Sequence, residues 1–244
     1  IERWWACKAR RATTKGARWV RAGEMTSPNT IVAIDGPAGA GKSTVAKALA
    51  VALDLEYLDT GAMYRAVTLA AMESGLALDG ADIVGLAESC DLSVENGRTM
   101  LGGRDVSSEI RGVAVTAAVS TVAANSGVRE VMRRRQRAWG DSRGGGVIEG
   151  RDIGTVVFPD ALLKIYLTAS ARVRAERRVA EVGGDVDEME RAISERDHKD
   201  STRADSPLST STDSVVVDTS GRTIDDVVRE IKNIVDSRRS SVRK

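Results

Sequence analysis

The chain has 244 residues, 42% of them apolar and 29% charged, with a formal net charge of +1. That balance belongs to a globular chain with a sizeable core and excludes wholesale disorder. No apolar run approaches the roughly 18 residues of a membrane-spanning helix, and one histidine with two cysteines, Cys7 and Cys90, excludes a structural zinc site. The same scarcity argues against a histidine-based catalytic triad, and two distant cysteines fit a reducing cytoplasm.

Charge is unevenly spread. Residues 1–24 hold seven Lys/Arg, two Glu and three of the four tryptophans, which leaves 29 basic against 33 acidic residues beyond them, a net of −4. The chain starts at Ile1, and Met25-Thr26-Ser27-Pro28 reads like an ordinary N-terminus. Residues 1–27 are therefore expected to be an extension outside the fold. A targeting segment or a basic interaction tail are the alternatives; a secretory signal lacks its apolar core.

In chain order, Thr30 to Asp35 reads as a buried parallel strand stopped by Gly36-Pro37. A helix is predicted over 42–53, with Val45, Leu49 and Leu53 on one face. A short strand follows near Tyr57-Leu58, then helices at about 61–74 and 80–90. Residues 91–106 alternate and carry turn signals at Asn96-Gly97 and Gly102-Gly103, predicting small antiparallel strands. Helices return at about 112–124 and 127–139, and Gly144-Gly145-Gly146 ends that block. Val147-Ile148 and Leu162 to Leu167 read as core strands. Helices are predicted at 170–182 and 187–199, a polar loop over 200–213, a strand at Val215-Val216-Val217 and a helix over 223–238. Strand–helix alternation predicts an α/β fold with a five-stranded parallel sheet flanked by helices.

Gly36-Pro37-Ala38-Gly39-Ala40-Gly41-Lys42-Ser43 matches G-x-x-x-x-G-K-S/T, between a strand and a helix. The glycines let backbone N–H groups turn toward phosphate oxygens, and the helix N-terminus adds its positive end. Lys42 can reach the β and γ phosphates, and the Ser43 hydroxyl can ligate Mg²⁺. Gly36 through Thr44 are thus the candidate ATP-binding residues. This motif says nucleoside triphosphate binding and not what is done with it.

Further motifs narrow the reaction. IDGPAGAGKST, LDTGAMYR, VREVMRRRQR, EGRDIGTVVFP and ERDHKDSTRADSPL together resemble the motifs of bacterial cytidylate kinases, P-loop kinases of nucleoside monophosphates. The resemblance covers nearly all of residues 28–238. It implies ATP plus CMP or dCMP giving ADP plus CDP or dCDP, with Mg²⁺, and it implies a single kinase domain over 28–240. In that domain 28–59, 141–174 and 206–240 form the core, 60–140 binds CMP, and 175–205 is a lid.

Position by position, the resemblance implies that Thr60 and Arg65 hold the CMP phosphate and its approach. Ser120, Arg129, Arg151 and Asp152 would line the cytosine and phosphate pocket. Arg196, Asp200 and Arg203 would reach the nucleotide from the lid. Lys42, Arg174, Arg178 and Arg196 are the candidate catalytic cations; Arg174 and Arg178 lie four apart, on one helix face. Glu149 stands where an Asp often precedes Gly-Arg-Asp, and an acidic group there could orient Mg²⁺-bound water. The acceptor phosphate is already ionised, so no strong base is required. Cytosine offers an N4 donor beside N3 and O2 acceptors, which an Asp and an Arg complement; Asp152 and Arg129 are expected to carry that discrimination.

Other features read as structural. Arg133, Arg134, Arg135 and Arg137 are expected to be a solvated helix face, not a nucleic-acid patch. Trp139 and Cys90 read as packing residues and His198 as a surface residue of the lid. A shikimate-, gluconate-, AMP- or UMP-type kinase is the nearest alternative function. A GTP-dependent regulator is disfavoured because no asparagine precedes a lysine, as guanine recognition would normally need. The expected partners are small molecules only, with no nucleic acid or membrane, and the expected state is a cytoplasmic monomer.

Overall fold

A computed structural model describes residues 30–95 and 97–242; the expected extension over 1–27 lies outside the described residues. Five parallel strands form the central sheet: β1 (Thr30–Asp35), β2 (Tyr57–Asp59), β6 (Gly145–Glu149), β7 (Leu163–Thr168) and β8 (Val215–Asp218). Their spatial order is β2-β6-β1-β7-β8. Side-chain alternation along β1 divides the core. Ile31 and Ala33 point into one cluster with Leu58, Ile148 and Met132. Val32 and Ile34 point into the other, with Leu49, Ile165 and Ile231.

Helix α1 (Lys42–Leu53) and α8 (Ile224–Val242) cover the second cluster. The first is covered by α2 (Thr60–Glu73), α3 (Asp82–Ser89), α4 (Val113–Ala124) and α5 (Ser126–Arg143). Between α3 and α4 runs a three-stranded antiparallel sheet of β3 (Leu92–Glu95), β4 (Arg98–Leu101) and β5 (Arg104–Asp105). A helical hairpin, α6 (Ala171–Val182) and α7 (Val186–Thr202), packs together between β7 and β8. No described helix is long and apolar enough to cross a membrane.

The strand and helix pattern is the one the sequence predicts, with four differences. The glycine run does not simply end a helical block. Gly144 caps α5 at φ 67°, but Gly145 and Gly146 already belong to β6. A Cβ at Gly145 would lie 2.5 Å from the Thr30 carbonyl oxygen, and one at Gly146 would lie 2.6 Å from the Trp139 ring. Glycine there permits close approach, not a turn. Second, a π-helical turn at Ile153–Val157 follows β6. Third, α7 runs to Thr202, so the polar loop begins later than residue 200; Asp200 is held in the helix by Arg151 and accepts the Leu208 amide at its carbonyl. Fourth, α5 and α8 extend past their expected ends, to Arg143 and Val242.

Trp139 packs partly buried against the first cluster with the Arg143 guanidinium 4.7 Å above its ring. Cys90 is half-buried, and burial raises its thiol pKa. His198 is exposed. The arginine run of α5 is in part the solvated face expected, with Arg134 and Arg137 exposed and Arg133 and Arg135 half-buried, and its side chains also make polar contacts along its length. Arg133 pairs with Asp205, Arg134 with Glu88, and Arg135 donates to the Glu88 and Cys90 carbonyls. Arg137 donates to the Val156 and Val157 carbonyls.

Candidate active site

The chain leaves β1 toward β2 on one side, while β6 continues to β7 on the other. Such a reversal opens a crevice at the C-terminal ends of the strands. The strands β1, β2 and β6 end there in Asp35, Asp59 and Glu149.

The phosphate loop lies in this crevice. Gly36 has φ 145°, and a Cβ on it would lie 2.1 Å from the Leu167 carbonyl oxygen, so only glycine fits. Gly39 and Gly41 take left-handed φ of 77° and 85°. Gly41 caps α1 without a side-chain bond, leaving the first-turn N–H groups to an anion. Lys42 is buried and its Nζ donates to the Pro37 carbonyl at 2.8 Å. Burial pushes its ammonium down to about 7, Arg151 adds to the shift, and Glu149 and Asp35 oppose it. Ser43 is half-buried and hydrogen-bonds Glu149, whereas Thr44 is exposed.

Glu149 is also the acceptor for the Tyr57 hydroxyl. Burial and the nearby Asp59 raise its pKa, against the pull of Lys42. The Thr60 hydroxyl donates to the Glu149 carbonyl at 2.6 Å, which commits its proton to the backbone. Asp59 caps α2 through the Ala62 amide and pairs with Arg111 at 3.1 Å. Among the described residues, no three acidic, His or Cys side chains converge as a metal site. The Ser43 hydroxyl and Glu149 carboxylate are hard oxygen donors of the kind magnesium takes.

Arg174 is buried against the loop. Its Nε donates to Ala169 O and its Nη1 to Ala38 O, both at 2.9 Å, and Nη1 pairs with Asp197 of α7 at 2.6 Å. Gly39 lets it close in, since a Cβ there would meet Arg174 Cβ at 3.1 Å. Arg178 is partly exposed, pairs with Glu181, and lies near enough to Arg65 and Arg196 to depress both.

Beyond the loop is a crowd of cations. Burial pushes Arg65 down to about 10, and Arg196 and Arg111 push the same way. Its Nη1 donates to Ile110 O and to Thr116 Oγ1. Burial and Arg151 lower Arg196, whose buried Nε has no hydrogen-bond partner. Arg151 pairs with Asp200 at 2.9 Å. Burial alone would raise Asp200, but Arg151, Arg196 and Arg203 together outweigh it and its pKa is lowered. A half-buried cation cluster with an unsatisfied donor is an arrangement suited to a polyanion.

A second buried pair stands beside it. Arg129 Nη2 meets Asp152 Oδ2 at 2.5 Å, with side-chain exposures of 1% and 8%. Arg129 also donates to Ala123 O, lies 5.7 Å from the Tyr64 ring centre, and has Asp205 at 3.7 Å. Arg203 Nη2 is 3.9 Å from Asp152, and its Nε donates to Ser206 O. Ser120 is half-buried on α4, which packs on α2 and touches α7.

Sequence reasoning missed several side chains here. Asp35, Tyr57 and Asp197 lie beside or inside quoted motifs, but each acts through a contact distant in the chain. Arg177 donates to the Thr219 hydroxyl and carbonyl, and Thr219 also reaches the Ala40 carbonyl. Its position beside Arg178 gives no separate signal.

The family model described as cytidylate kinase matches residues 32–237. A cytidylate kinase of Mycobacterium avium (strain 104) is 50% identical over 222 residues, covering 87% of this chain and 97% of that protein. One from Desulforamulus reducens is 51% identical over 209 residues, covering 82% and 94%. Among solved structures, a gluconokinase from Sinorhizobium meliloti 1021 aligns with TM-score 0.50 at 16% identity, covering 88% of this chain and 96% of that one. That likeness concerns the fold alone.

Proposed function

The chain belongs to the cytidylate kinase family, and from that we propose that it transfers the γ-phosphoryl group of ATP to CMP or dCMP, giving ADP and CDP or dCDP. The observation that carries the acceptor side is the half-buried cation cluster of Arg65, Arg151 and Arg196, with the unsatisfied, buried Arg196 Nε. Two polyanions brought together need such a cluster, because their mutual repulsion would otherwise dominate.

The chemistry requires positioning more than proton transfer. The acceptor oxygen is ionised at neutral pH, so catalysis reduces to in-line alignment and charge stabilisation. Loop amides and Lys42 would hold the β and γ phosphates, with Gly36 through Thr44 around them. Ser43, with Glu149 hydrogen-bonded to it, would hold Mg²⁺ beside the triphosphate. That ion, when bound, neutralises charge on the phosphoryl oxygens. Arg174 would brace the loop, and Arg178 and Arg196 would face the transferred group.

On the acceptor side, Arg65 and Arg151 would hold the CMP phosphate, next to Thr60 whose hydroxyl is already given to the Glu149 carbonyl, and Ser120, Arg129 and Asp152 the base. An Asp beside N4 and an Arg beside N3/O2 match cytosine, whereas uracil would set O4 against a carboxylate. Asp200 and Arg203 would approach the sugar from the lid. In this reading residues 60–140 bind CMP, and 175–205 close to exclude water, which would otherwise take the phosphoryl group. The reading treats the enzyme as a monomer.

The test is Mg-ATP turnover to ADP with CMP, dCMP, UMP, AMP, GMP, shikimate and gluconate offered separately. Turnover confined to CMP and dCMP is expected. Preference for UMP or AMP would keep the fold and overturn the base assignment; preference for shikimate or gluconate would overturn the acceptor class.

A further inference from the structure

Asp35 is a buried carboxylate that the mechanism above does not use. It ends β1, immediately before Gly36, and is 5% exposed. Its Oδ1 accepts the Ile153 amide at 2.9 Å and its Oδ2 the Gly154 amide at 2.7 Å. These amides open the turn at Ile153–Val157, whose own first N–H groups have no acceptor inside the turn. Asp35 therefore caps that turn from another strand. One residue earlier in β1, Ile34 O accepts the Gly150 amide at 3.0 Å.

The strand thus grips the segment on both sides of two residues, Arg151 and Asp152. Arg151 goes to Asp200 of α7, and Asp152 to Arg129 of α5. Through Asp35 the start of the phosphate loop is joined directly to this pair. The arrangement has a cost, since burial raises the Asp35 pKa to about 6 against the two amide bonds that lower it. An apolar residue would avoid that cost but leave two buried amides unpaired.

We propose that Asp35 is a positioning residue for the phosphoryl acceptor: by holding the Ile153 and Gly154 amides it sets where Arg151 and Asp152 stand relative to the phosphate loop. The inference rests on the reading that Arg151 and Asp152 line the CMP pocket.

The test is steady-state kinetics on Asp35→Asn, Asp152→Asn and the double variant, with binding of a fluorescent ATP analogue measured alongside. Asparagine keeps one acceptor and sets an N–H₂ against the other amide. Small misplacements of this kind cost up to about 100-fold. Asp35→Asn should raise KM for CMP about 10- to 100-fold while the affinity for the ATP analogue changes less than about threefold. In the Asp152→Asn background the same change should add clearly less than it does alone, because only Arg151 is then left to be misplaced. Equal losses for both substrates, a fall in kcat with both KM values unchanged, or fully additive effects would overturn the inference. An Asp152→Asn enzyme with unchanged KM for CMP would overturn the pocket reading, and the inference with it. If Asp35→Asn does not accumulate as folded protein, Asp35→Ser, neutral and able to accept one amide, is read by the same criteria.

Discussion

Removing the Asp152 carboxylate should destabilise the enzyme through Arg129. The guanidinium is 1% exposed and its close anionic partner is Asp152 at 2.5 Å. In Asp152→Ala it keeps a neutral bond to Ala123 O, the Tyr64 ring at 5.7 Å, and Asp205 at 3.7 Å. Breaking a buried pair by deleting one partner costs about 3–5 kcal/mol. Asp205 and Tyr64 offset part of this, which places the expected loss near ~3 kcal/mol. For a chain of this size that is roughly 6–12 °C in Tm. Replacing both residues, as Arg129→Met with Asp152→Ala, removes the stranded charge and should recover about 2 kcal/mol relative to the sum of the single losses. The assay is reversible urea unfolding of the four proteins, with the slope checked for constancy. An Asp152→Ala enzyme within about 1 kcal/mol of the parent, or a double variant equal to the sum of the singles, would refute the reasoning.

Two further outcomes follow from the phosphate loop. Gly36→Ala places a Cβ 2.1 Å from the Leu167 carbonyl at φ 145°; binding of a fluorescent ATP analogue should fall at least about tenfold, and unchanged affinity would mean that the loop and β7 can part without disturbing the phosphate cradle. Burial lowers Lys42 to about 7, so a sizeable neutral fraction at pH 8 must regain its proton beside a triphosphate. ATP binding should therefore be accompanied by proton uptake at this group, larger at pH 8 than at pH 6, seen as a buffer-dependent heat in titration calorimetry; no buffer dependence at pH 8 would count against it.

Local pattern makes most of the framework legible. Thr30 to Asp35 is a nearly uninterrupted apolar run, and Gly36 to Ser43 can do little but turn around an anion, so β1, the loop and α1 sit at their predicted places. Helix ends are less legible. Asp200 and its neighbours look like loop in isolation, yet the Arg151 contact, made from 49 residues away, keeps them in α7. The triple glycine reads as punctuation because the signal for close strand packing is identical to that for a turn.

The candidate site divides in the same way. Sequence by itself determined the fold class, the phosphate loop and a set of candidate arginines and carboxylates, because these depend on residue type and short spacing. Only tertiary structure decided their pairing: that Arg129 faces Asp152, that Arg174 braces Ala38 and meets Asp197, and that Asp35 caps a turn 118 residues away. Those contacts arise because parallel strands, distant in the chain, end side by side, and buried charges there must find partners wherever the sheet places them.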